Sequence, residues 1–436
     1  MKKKNTKFIL LTAVTMLAAL APGCSGQSAE KPGEAAPAAK INTDPVTLTF
    51  YGNMSEELFQ KLVVAPVKLK YPNIDLTLVP MTNKIEDLIA SGEVPDILGD
   101  NISAIAKYEN LDLLEDLTPY VKAFNLDLSA VDPVVVDTVR KNSGEGKLYA
   151  LPVSANVVTL YYNKDIFDRF GVPYPQDGMT WDQVYEVAKK VTRTDGGVAY
   201  RGYDFQDLFQ IQYNQLSVPV IDEKTNKAIV NNAEWKKLFE NWARFYTITG
   251  NEVDANGYGK GLNAFSKDKT LAMYSTSSFF SSMPEAVKNG LNYDVVSLPS
   301  FPEAPNTGVQ VEGGARMITT TSKHKDQAFM ALSAMLTPEA QKVIARNGNA
   351  SVLTDTSINQ DFGLDIEVLK GKNREAFIKN KNAKPFPSIT KYDGAAFTIM
   401  RQQFKKVATG QEDVNTALRE AEELINKAIE DQNKQQ

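Results

Sequence analysis

The stretch that decides the fold is Gly146–Trp181, which reads GKLYALPVSANVVTLYYNKDIFDRFGVPYPQDGMTW. Its first part, Leu148–Tyr162, is almost wholly apolar and β-branched, with interruptions at Pro152 and Asn156. This run is too short to span a membrane, so it predicts two strands that meet near Ser154–Asn156. Because neither strand has a polar face, we expect each to be buried on both faces, as strands of a parallel sheet are.

The second part of the stretch predicts two helices. Lys164–Phe170 is a short helix that stops at Gly171, where a left-handed residue is favoured. Thr180–Gln183 reads TWDQ, a capping box in which the threonine hydroxyl accepts a backbone N–H and the glutamine reaches back. The helix that starts there has an apolar stripe formed by Val184, Val187, Ala188 and Val191.

Three motifs of this stretch, GKLYALP, YYNKD and the TW-D-Q helix start, resemble a known family. They are similar to the sugar-type extracytoplasmic solute-binding proteins of ABC importers. The resemblance implies a periplasmic-binding-protein-like α/β fold, in which two discontinuous α/β lobes are joined by a hinge and enclose a ligand cleft. It also implies that the chain crosses between the lobes here. From the residues alone, the stretch also fits a buried strand pair of any α/β protein.

Strand and helix signals alternate upstream of this stretch. Three strands are predicted, at Val46–Tyr51, Ile74–Leu78 and Val94–Leu98. Two helices are predicted between them, one from the cap Ser55 to about Lys70 with a kink at Pro66, and one over Asn83–Ala90. This order predicts a parallel sheet with right-handed crossovers.

Polar residues follow the first and third of these strands. Asn53 and Glu56 come after Tyr51, and Asp100 and Asn101 come after Leu98. In open α/β sheets, ligands bind outside the carboxyl ends of the strands, and the family resemblance implies that these loops line the cleft. Turn and helix-cap roles for the same residues remain open as the alternative.

The remaining candidate contacts depend on the resemblance. The stretch FSKDKTLAMYSTSSFF, ending at Phe280, has Asp268 where the family usually has glycine, and phenylalanine where tryptophan is common. The resemblance and the loop positions together give twelve candidate ligand contacts: Tyr51, Asn53, Glu56, Asp100, Asn101, Asn156, Tyr203, Asp204, Phe279, Phe280, Glu312 and Tyr392.

The predicted lobes each combine two segments of the chain. The N-terminal lobe comprises residues 45–155 plus 310–350, and the C-terminal lobe comprises 156–309 plus 351–436. The chain would cross near Ser154–Val157, near Val309–Glu312 and around Ser351.

An aromatic stripe between Trp235 and Tyr246 has helical spacing and predicts core packing rather than a sugar platform. The amphipathic helix over Val414–Ile429 is expected to dock on a lobe.

The first 23 residues read as a secretory signal, with four lysines before an apolar run over Phe8–Ala21. The signal ends at Cys24 and resembles that of a bacterial lipoprotein, which implies a lipid on Cys24 and an anchor on the outer face of the cell membrane. The run is short for an uncleaved membrane anchor. Residues 24–44 are rich in Ala, Pro, Gly and Ser and predict a flexible tether.

Composition excludes several classes of function. The formal net charge is −5, and loss of the four lysines of the signal lowers it to −9, which disfavours binding to nucleic acid. The chain has one cysteine and one histidine and lacks a phosphate-binding glycine loop and a nucleophile elbow. We therefore expect no cofactor, no metal site and no enzyme activity, although a carboxylate pair of the glycosidase type remains open.

The sequence thus predicts an extracytoplasmic solute-binding lipoprotein of an ABC importer. It would act as a monomer that captures a sugar or oligosaccharide by hinge closure and delivers it to a separate membrane permease. Two alternatives remain: a binding protein for a non-sugar polar solute such as a peptide, polyamine or polyol, and an extracytoplasmic carbohydrate hydrolase.

Overall fold

The computed structural model of the protein describes residues 43–144, 146–277, 280, 282–387 and 389–434. The predicted signal, Cys24, almost all of the tether and Phe279 lie outside the described residues. None of the described helices is long and apolar enough to cross a membrane.

The described strands are β1 (Val46–Gly52), β2 (Ile74–Pro80), β3 (Ile97–Asn101), β4 (Leu151–Pro152), β5 (Val158–Asn163), β6 (Arg193–Asp195), β7 (Val198–Phe205), β8 (Ile221–Asp222), β9 (Lys227–Ala228), β10 (Leu271–Ser277), β11 (Tyr293–Ser297), β12 (Thr307–Gln310), β13 (Gly314–Ile318) and β14 (Lys381–Ala383).

The described α-helices are α1 (Glu56–Phe59), α2 (Ala65–Lys70), α3 (Ile85–Ser91), α4 (Ile105–Glu109), α5 (Thr118–Ala123), α6 (Pro133–Lys141), α7 (Lys164–Phe170), α8 (Trp181–Val191), α9 (Ala233–Tyr246), α10 (Gly261–Ser266), α11 (Met283–Lys288), α12 (Lys325–Ala334), α13 (Pro338–Arg346), α14 (Asp393–Ala408) and α15 (Val414–Lys434). Shorter π and 3-10 turns lie at Gln60–Val64, Ile102–Ala104, Leu128–Ala130, Leu208–Gln212, Thr356–Asp361, Glu367–Leu369 and Arg374–Phe377.

The first five-stranded sheet has the order β2-β1-β3-β13-β4. Strand β1 pairs in parallel with β2 and β3, which confirms the parallel arrangement predicted from the alternating strands and helices. Strand β13 returns antiparallel between β3 and β4. The amino end of β13 therefore lies at the same sheet edge as the carboxyl ends of β1, β3 and β4.

The irregularity predicted at Pro66 is a π turn rather than a simple bend. Helix α1 begins after the cap Ser55, whose Oγ accepts from Leu58 N at 3.3 Å. The π turn Gln60–Val64 then leads into α2, with Pro66 in its first turn. Proline has no N–H and cannot donate a backbone hydrogen bond to the preceding turn. The change from α-helical to π-helical hydrogen bonding just before Pro66 therefore avoids a broken backbone hydrogen bond.

The second five-stranded sheet has the order β11-β5-β10-β7-β6. All six residues of β5 are buried, as expected, but β5 is antiparallel to both of its neighbours, β10 and β11. Strand β4 is also antiparallel to its partner, β13. The expectation of parallel pairing for these two strands was therefore wrong, because burial on both faces requires cover on both sides and does not set strand direction.

The α7 and α8 predictions are confirmed in detail. Helix α7 ends at Gly171, which has φ of 63°. Thr180 and Gln183 form the reciprocal capping box: Thr180 Oγ1 accepts from Gln183 N at 3.3 Å, and Thr180 N donates to Gln183 Oε1 at 2.8 Å. The local sequence alone specifies this junction, because both partners lie within one helical turn.

Two large apolar cores lie on the two sheets. One combines residues between Leu48 and Ala155 with residues between Val311 and Ile358. The other contains Trp181, Trp235 and Trp242, each at most 1% exposed, so the prediction that the aromatic stripe packs in a core is confirmed. Residues of α15 also pack in this second core, which confirms the docking of the C-terminal helix.

Three chain segments meet between the two sheets, near the three predicted crossing points. Ala155 and Ala350 exchange two backbone hydrogen bonds, of 2.9 and 3.0 Å, and Asn156 N donates to Glu312 O at 2.7 Å. The three segments therefore form a short hydrogen-bonded bundle, although they are far apart in sequence.

Gln341 on α13 ties this bundle to the first core, and its replacement by leucine is expected to destabilise the fold. Its fully buried amide makes four hydrogen bonds of 2.8 to 3.0 Å, to Val153 O, Met335 O, Ser351 Oγ and Val352 N. Leucine would leave these groups unpaired, at a cost of about 3 kcal/mol in the free energy of unfolding. Urea denaturation measures the change.

The matched control is Gln411→Leu, at an exposed position that follows α14. We expect the control to change the free energy of unfolding by less than about 0.5 kcal/mol. Equal effects of the two substitutions would contradict a structural role for the Gln341 amide.

Candidate functional site

A pocket of about 330 Å³ lies at the edge of the first sheet where β1, β3 and β4 end and β13 begins. Its position agrees with the general placement of ligands outside the carboxyl ends of strands in α/β sheets. Its volume is that of a small-molecule site. The pocket is lined by Asn53, Met54, Leu62, Met81, Gly99, Asp100, Asn101, Val153, Ser154, Asn156, Gly314, Arg316, Met335, Ile344 and Asn349.

Four of the predicted contacts meet in this pocket: Asn53, Asp100, Asn101 and Asn156. Asn53 follows β1, Asp100 and Asn101 end β3, and Asn156 lies at the first crossing. The side-chain amides of Asn53, Asn101, Asn156 and Asn349 form no hydrogen bond with any residue that the structure describes. Each amide can donate and accept, so the pocket offers its ligand both kinds of partner.

Asp100 is held in place by its own segment of chain. Its Oδ1 accepts from Asn101 N at 2.8 Å, and its Oδ2 accepts from the hydroxyl of Tyr108 at 2.7 Å. Burial, and then the bond to this carboxylate, raise the pKa of Tyr108, so the hydroxyl remains a donor at physiological pH. Asp100 therefore has a fixed orientation at the wall of the pocket, with lone pairs remaining for a ligand.

Sequence reasoning missed Arg316, a second charged residue among the described residues that line the pocket. Arg316 lies on β13 opposite Gly99 of β3 and is 8% exposed. Its guanidinium lies 5.3 Å from the ring centroid of Phe50. At Gly99 an added Cβ would lie 2.2 Å from Phe50 Cζ, so glycine is required for this ring to lie beneath the pocket. A single cation in the otherwise apolar strand GARMI was the signal available in the sequence.

Two more predicted contacts at the first sheet lie away from the pocket. Tyr51 is 3% exposed and packs in the first core, where its hydroxyl donates to Asn83 O at 2.9 Å. Burial raises its pKa, which keeps that donor protonated. Glu56 is exposed in the first turn of α1 and accepts from Gln60 Nε2 at 2.8 Å. Tyr51 is buried because both faces of β1 are covered at its carboxyl end, whereas helix geometry turns Glu56 outward.

Three predicted contacts are buried within the second core. Tyr203 is fully buried, and its hydroxyl donates to Ser275 Oγ at 3.1 Å. Its neighbour Asp204 accepts from Arg201 at 3.0 Å and from Tyr246 at 2.8 Å. Tyr392 is 6% exposed and donates to Asn433. The structure does not bring these three residues to the pocket, because β7 lies inside its sheet and Tyr392 is covered by α15.

Glu312 lies at the second predicted crossing and lines a different cavity, of about 200 Å³. Its carboxylate accepts one hydrogen bond from the Tyr213 hydroxyl and another, of 2.9 Å, from Gly313 N. A longer contact of 3.5 Å joins it to Ser103 N. Glu312 thereby connects groups from both sides of the crossing bundle instead of lining the pocket.

Phe280 is half-buried and lies beside the last crossing segment. Its ring centroid is 5.7 Å from that of Phe377. A Cβ added at Gly348 would lie 2.5 Å from Phe280 Cε2, so the ring contacts the residue just before Asn349. Phe280 is thus next to the pocket without lining it.

Within the described part of the chain, no group of three or more His, Cys, Asp and Glu residues is placed to hold a metal ion. The chemical groups of the pocket are amides, one hydroxyl, one carboxylate, one guanidinium and several apolar side chains. Such a set suits the binding of a polar solute through hydrogen bonds.

The chain is similar to characterised binding proteins over most of its length. The melibiose/raffinose/stachyose-binding protein MelE of Bacillus subtilis is 26% identical over 248 residues, 53% of this chain and 52% of MelE. That match therefore spans about half the length of the relative. The maltooligosaccharide ABC transporter solute-binding lipoprotein of Streptococcus pneumoniae is 22% identical over an alignment of 448 positions that covers 98% of each chain.

The fold is shared with solved structures. An ABC substrate-binding protein of Listeria monocytogenes, solved in complex with cycloalternan, has a TM-score of 0.70 and 22% identity. The similarity covers 88% of this chain and 99% of the other. This likeness confirms the predicted periplasmic-binding-protein-like fold of two α/β lobes. Residues 52–342, more than half of the chain, match the family model for bacterial extracellular solute-binding proteins, and the chain belongs to that family.

Proposed function

We propose that the protein binds a sugar or short oligosaccharide in the pocket of about 330 Å³ and delivers it to the permease of an ABC importer. The observation that carries this proposal is the convergence of four asparagine amides, without described hydrogen-bond partners, at the ends of strands in a solute-binding family. The names of the two relatives, which refer to melibiose, raffinose, stachyose and maltooligosaccharides, support the choice of a sugar.

The chemistry of the pocket suits a polyhydroxylated ligand. Sugar hydroxyls donate and accept, and asparagine amides can do the same. The apolar lining includes Met54, Met81 and Met335, whose flexible thioethers can cover the CH face of a sugar ring. No aromatic residue is among the described lining residues, so stacking on a ring, which is common for sugars, is not available from this wall.

That absence of aromatic lining favours one second candidate, a polyol. A linear polyol offers as many hydroxyls as a sugar but has no flat ring face to cover. A thermal-shift screen with maltose, maltotriose, melibiose, raffinose and mannitol separates the two candidates. A ligand at 100 times its Kd adds about 2.7 kcal/mol to the free energy of unfolding, which a thermal shift detects.

Hinge closure is the proposed mechanism of capture. We place the hinge in the bundle where Ala155, Asn156, Glu312 and Ala350 are hydrogen-bonded. We keep the predicted bounds for the proposed lobes except at the last crossing. Because Val352, Leu353 and Ile358 pack in the first core, we propose that this crossing lies at about residue 360. Contacts that ligand makes with both lobes exist only in the closed form, so ligand would shift the population towards closure.

The proposal includes a lipid on Cys24 that holds the body at the outer face of the cell membrane, with residues 24–44 as the tether. A second acyl chain would make the anchor stable. The permease and the ATPase would be separate chains, and the binding protein itself a monomer that carries out no catalysis. Stoichiometric binding of an oligosaccharide without product formation would support this role, and turnover would support the hydrolase alternative.

Asn156→Ala is expected to weaken ligand binding about tenfold, because one hydrogen-bonding amide is lost at the centre of the proposed cleft. Isothermal titration calorimetry with the saccharide that gives the largest thermal shift measures the change. Asn415→Ala, at an exposed position on α15, is the control and should leave the affinity unchanged. Unchanged affinity in Asn156→Ala would remove Asn156 from the proposed contacts.

A further inference from the structure

Arg316 is a buried cation without an ion pair. Its side chain lines the pocket although the residue is only 8% exposed. Its Nη1 donates to Ala315 O at 3.0 Å, and its Nε has no hydrogen-bond partner among the described residues. No described carboxylate lies within 4 Å of the guanidinium to form a salt bridge. Burying such a group unpaired costs free energy that the rest of the fold must offset.

Among the described residues that line the pocket, Asp100 is the only other charged one. Its two oxygens accept from Asn101 N and from the Tyr108 hydroxyl. Its charge favours the ionised form of Arg316, while burial lowers the pKa of Arg316 to about 10. The guanidinium is thus charged at neutral pH, held over the Phe50 ring, and left with unused donors in the pocket.

An arginine with unused donors at a ligand-binding wall is best matched by an anionic oxygen. Guanidinium forms short, charge-assisted hydrogen bonds to carboxylate and phosphate, and these are about twice as strong as bonds between neutral groups. The four asparagine amides of the pocket are compatible with hydroxyls on the same molecule. The pocket therefore combines groups for a polyhydroxylated body with one cation for an acidic substituent.

We propose that the natural solute is an acidic saccharide, whose carboxylate or phosphate binds the Arg316 guanidinium. This inference rests on the proposed function and narrows it to negatively charged sugars. Asp100 has the opposite role. Its carboxylate accepts hydrogen bonds from hydroxyls of the ligand, and its negative charge disfavours an anionic group placed close to it. Arg316 thus selects for the charged substituent, and Asp100 orients the ligand so that this substituent points away from it.

Calorimetry on the mature chain at pH 7.5 tests the proposal with matched neutral and charged sugars. The pairs are glucose with glucuronate, galactose with galacturonate, digalacturonate with digalactose, and glucose with glucose 6-phosphate. We expect at least one charged sugar to bind about tenfold or more tightly than its neutral partner, with the affinity falling as salt is raised. Comparison of the uronate pairs with the glucose 6-phosphate pair shows whether the protein prefers a carboxylate or a phosphate.

Variants at Arg316 and Asp100 separate a direct anion contact from a general effect. Arg316→Met should weaken the charged sugar about a hundredfold and a neutral sugar only a few-fold, and Arg316→Lys should be intermediate. Asp100→Asn should strengthen the charged sugar by relieving repulsion. Arg419→Met, at an exposed position on α15, is the control and should change nothing. Circular dichroism and urea denaturation show whether each variant is folded.

Two outcomes would overturn the inference. One is that every neutral sugar binds as tightly as its charged partner, which leaves the proposed sugar binding intact. The other is a folded Arg316→Met variant that keeps its affinity for the charged sugar. Citrate is included as an anion that is not a sugar. Binding of citrate with none of the saccharides would overturn the assignment to sugars while retaining the role of Arg316.

Discussion

Alanine at position 313 is expected to separate the crossing segments and to lower the free energy of unfolding by about 3 kcal/mol. A Cβ at Gly313 would lie 2.1 Å from the carbonyl oxygen of Ser154 and 2.8 Å from Ala155 Cα. Both are backbone atoms, so no side-chain rotation relieves the overlap. The strands would have to move apart, which strains the 2.7 Å bond from Asn156 N to Glu312 O.

The same movement would displace the pocket wall, because Ser154 and Asn156 line it. We therefore expect Gly313→Ala to weaken ligand binding as well as stability, as measured by calorimetry and urea denaturation. Gly394→Ala is the matched control, because no described atom outside its chain neighbours and its own helix backbone lies within 4 Å of the added Cβ, and Gly394 lies in the first turn of α14. The control should be neutral or slightly stabilising. A Gly313→Ala protein as stable as the control would contradict the close approach of the segments.

Arg316→Met is expected to stabilise the ligand-free protein by about 2 kcal/mol. Burial lowers the pKa of Arg316 from its usual range to about 10, which corresponds to about 3 kcal/mol against the charged form at neutral pH. Loss of the bond to Ala315 O and of the contact with the Phe50 ring offsets about 1 kcal/mol of the gain. A residue that lowers stability at the wall of the candidate pocket fits a role in function.

The stabilisation by Arg316→Met should depend on pH in a defined direction. Because the pKa in the folded protein lies below that in the unfolded chain, the penalty on Arg316 is fully present below about pH 10. It is lost progressively as pH rises above about 10, towards the pKa of the unfolded chain. The difference in free energy of unfolding between variant and unmodified protein should therefore be constant from pH 7 to 9 and shrink above pH 10. Lower stability of the variant at pH 7.5 would contradict this account.

Local features of the fold were predicted well because their causes lie close together in sequence. The capping box of Thr180 and Gln183, the stop at Gly171 and the apolar faces of α9 and α15 each depend on residues within one or two helical turns. The direction of β5 was predicted wrongly. Its partners β10 and β11 lie more than 100 residues away, and a fully buried strand has no alternation that reveals its neighbours.

The candidate site was predicted in part for the same reason. Asn53, Asp100 and Asn101 were found because strand ends are readable from sequence and parallel strands bring their carboxyl ends together. Tyr51 was placed among the contacts because it stands at the end of a predicted strand, and Tyr203 because of the resemblance and its position after a polar loop, yet both pack inward. Arg316 was missed because β13 joins the first sheet from a segment more than 200 residues after β3.

The sequence by itself determined the family, the alternation of strands and helices, the caps that begin and end them, and the polar loops at the strand ends. These follow from periodicity and from contacts between near neighbours in the chain. Only the tertiary structure decided which polar residues share a pocket, which tyrosines are buried, and that an unpaired guanidinium lies beside Asp100. Those features depend on segments that meet after long separations in sequence, and no local pattern encodes such meetings.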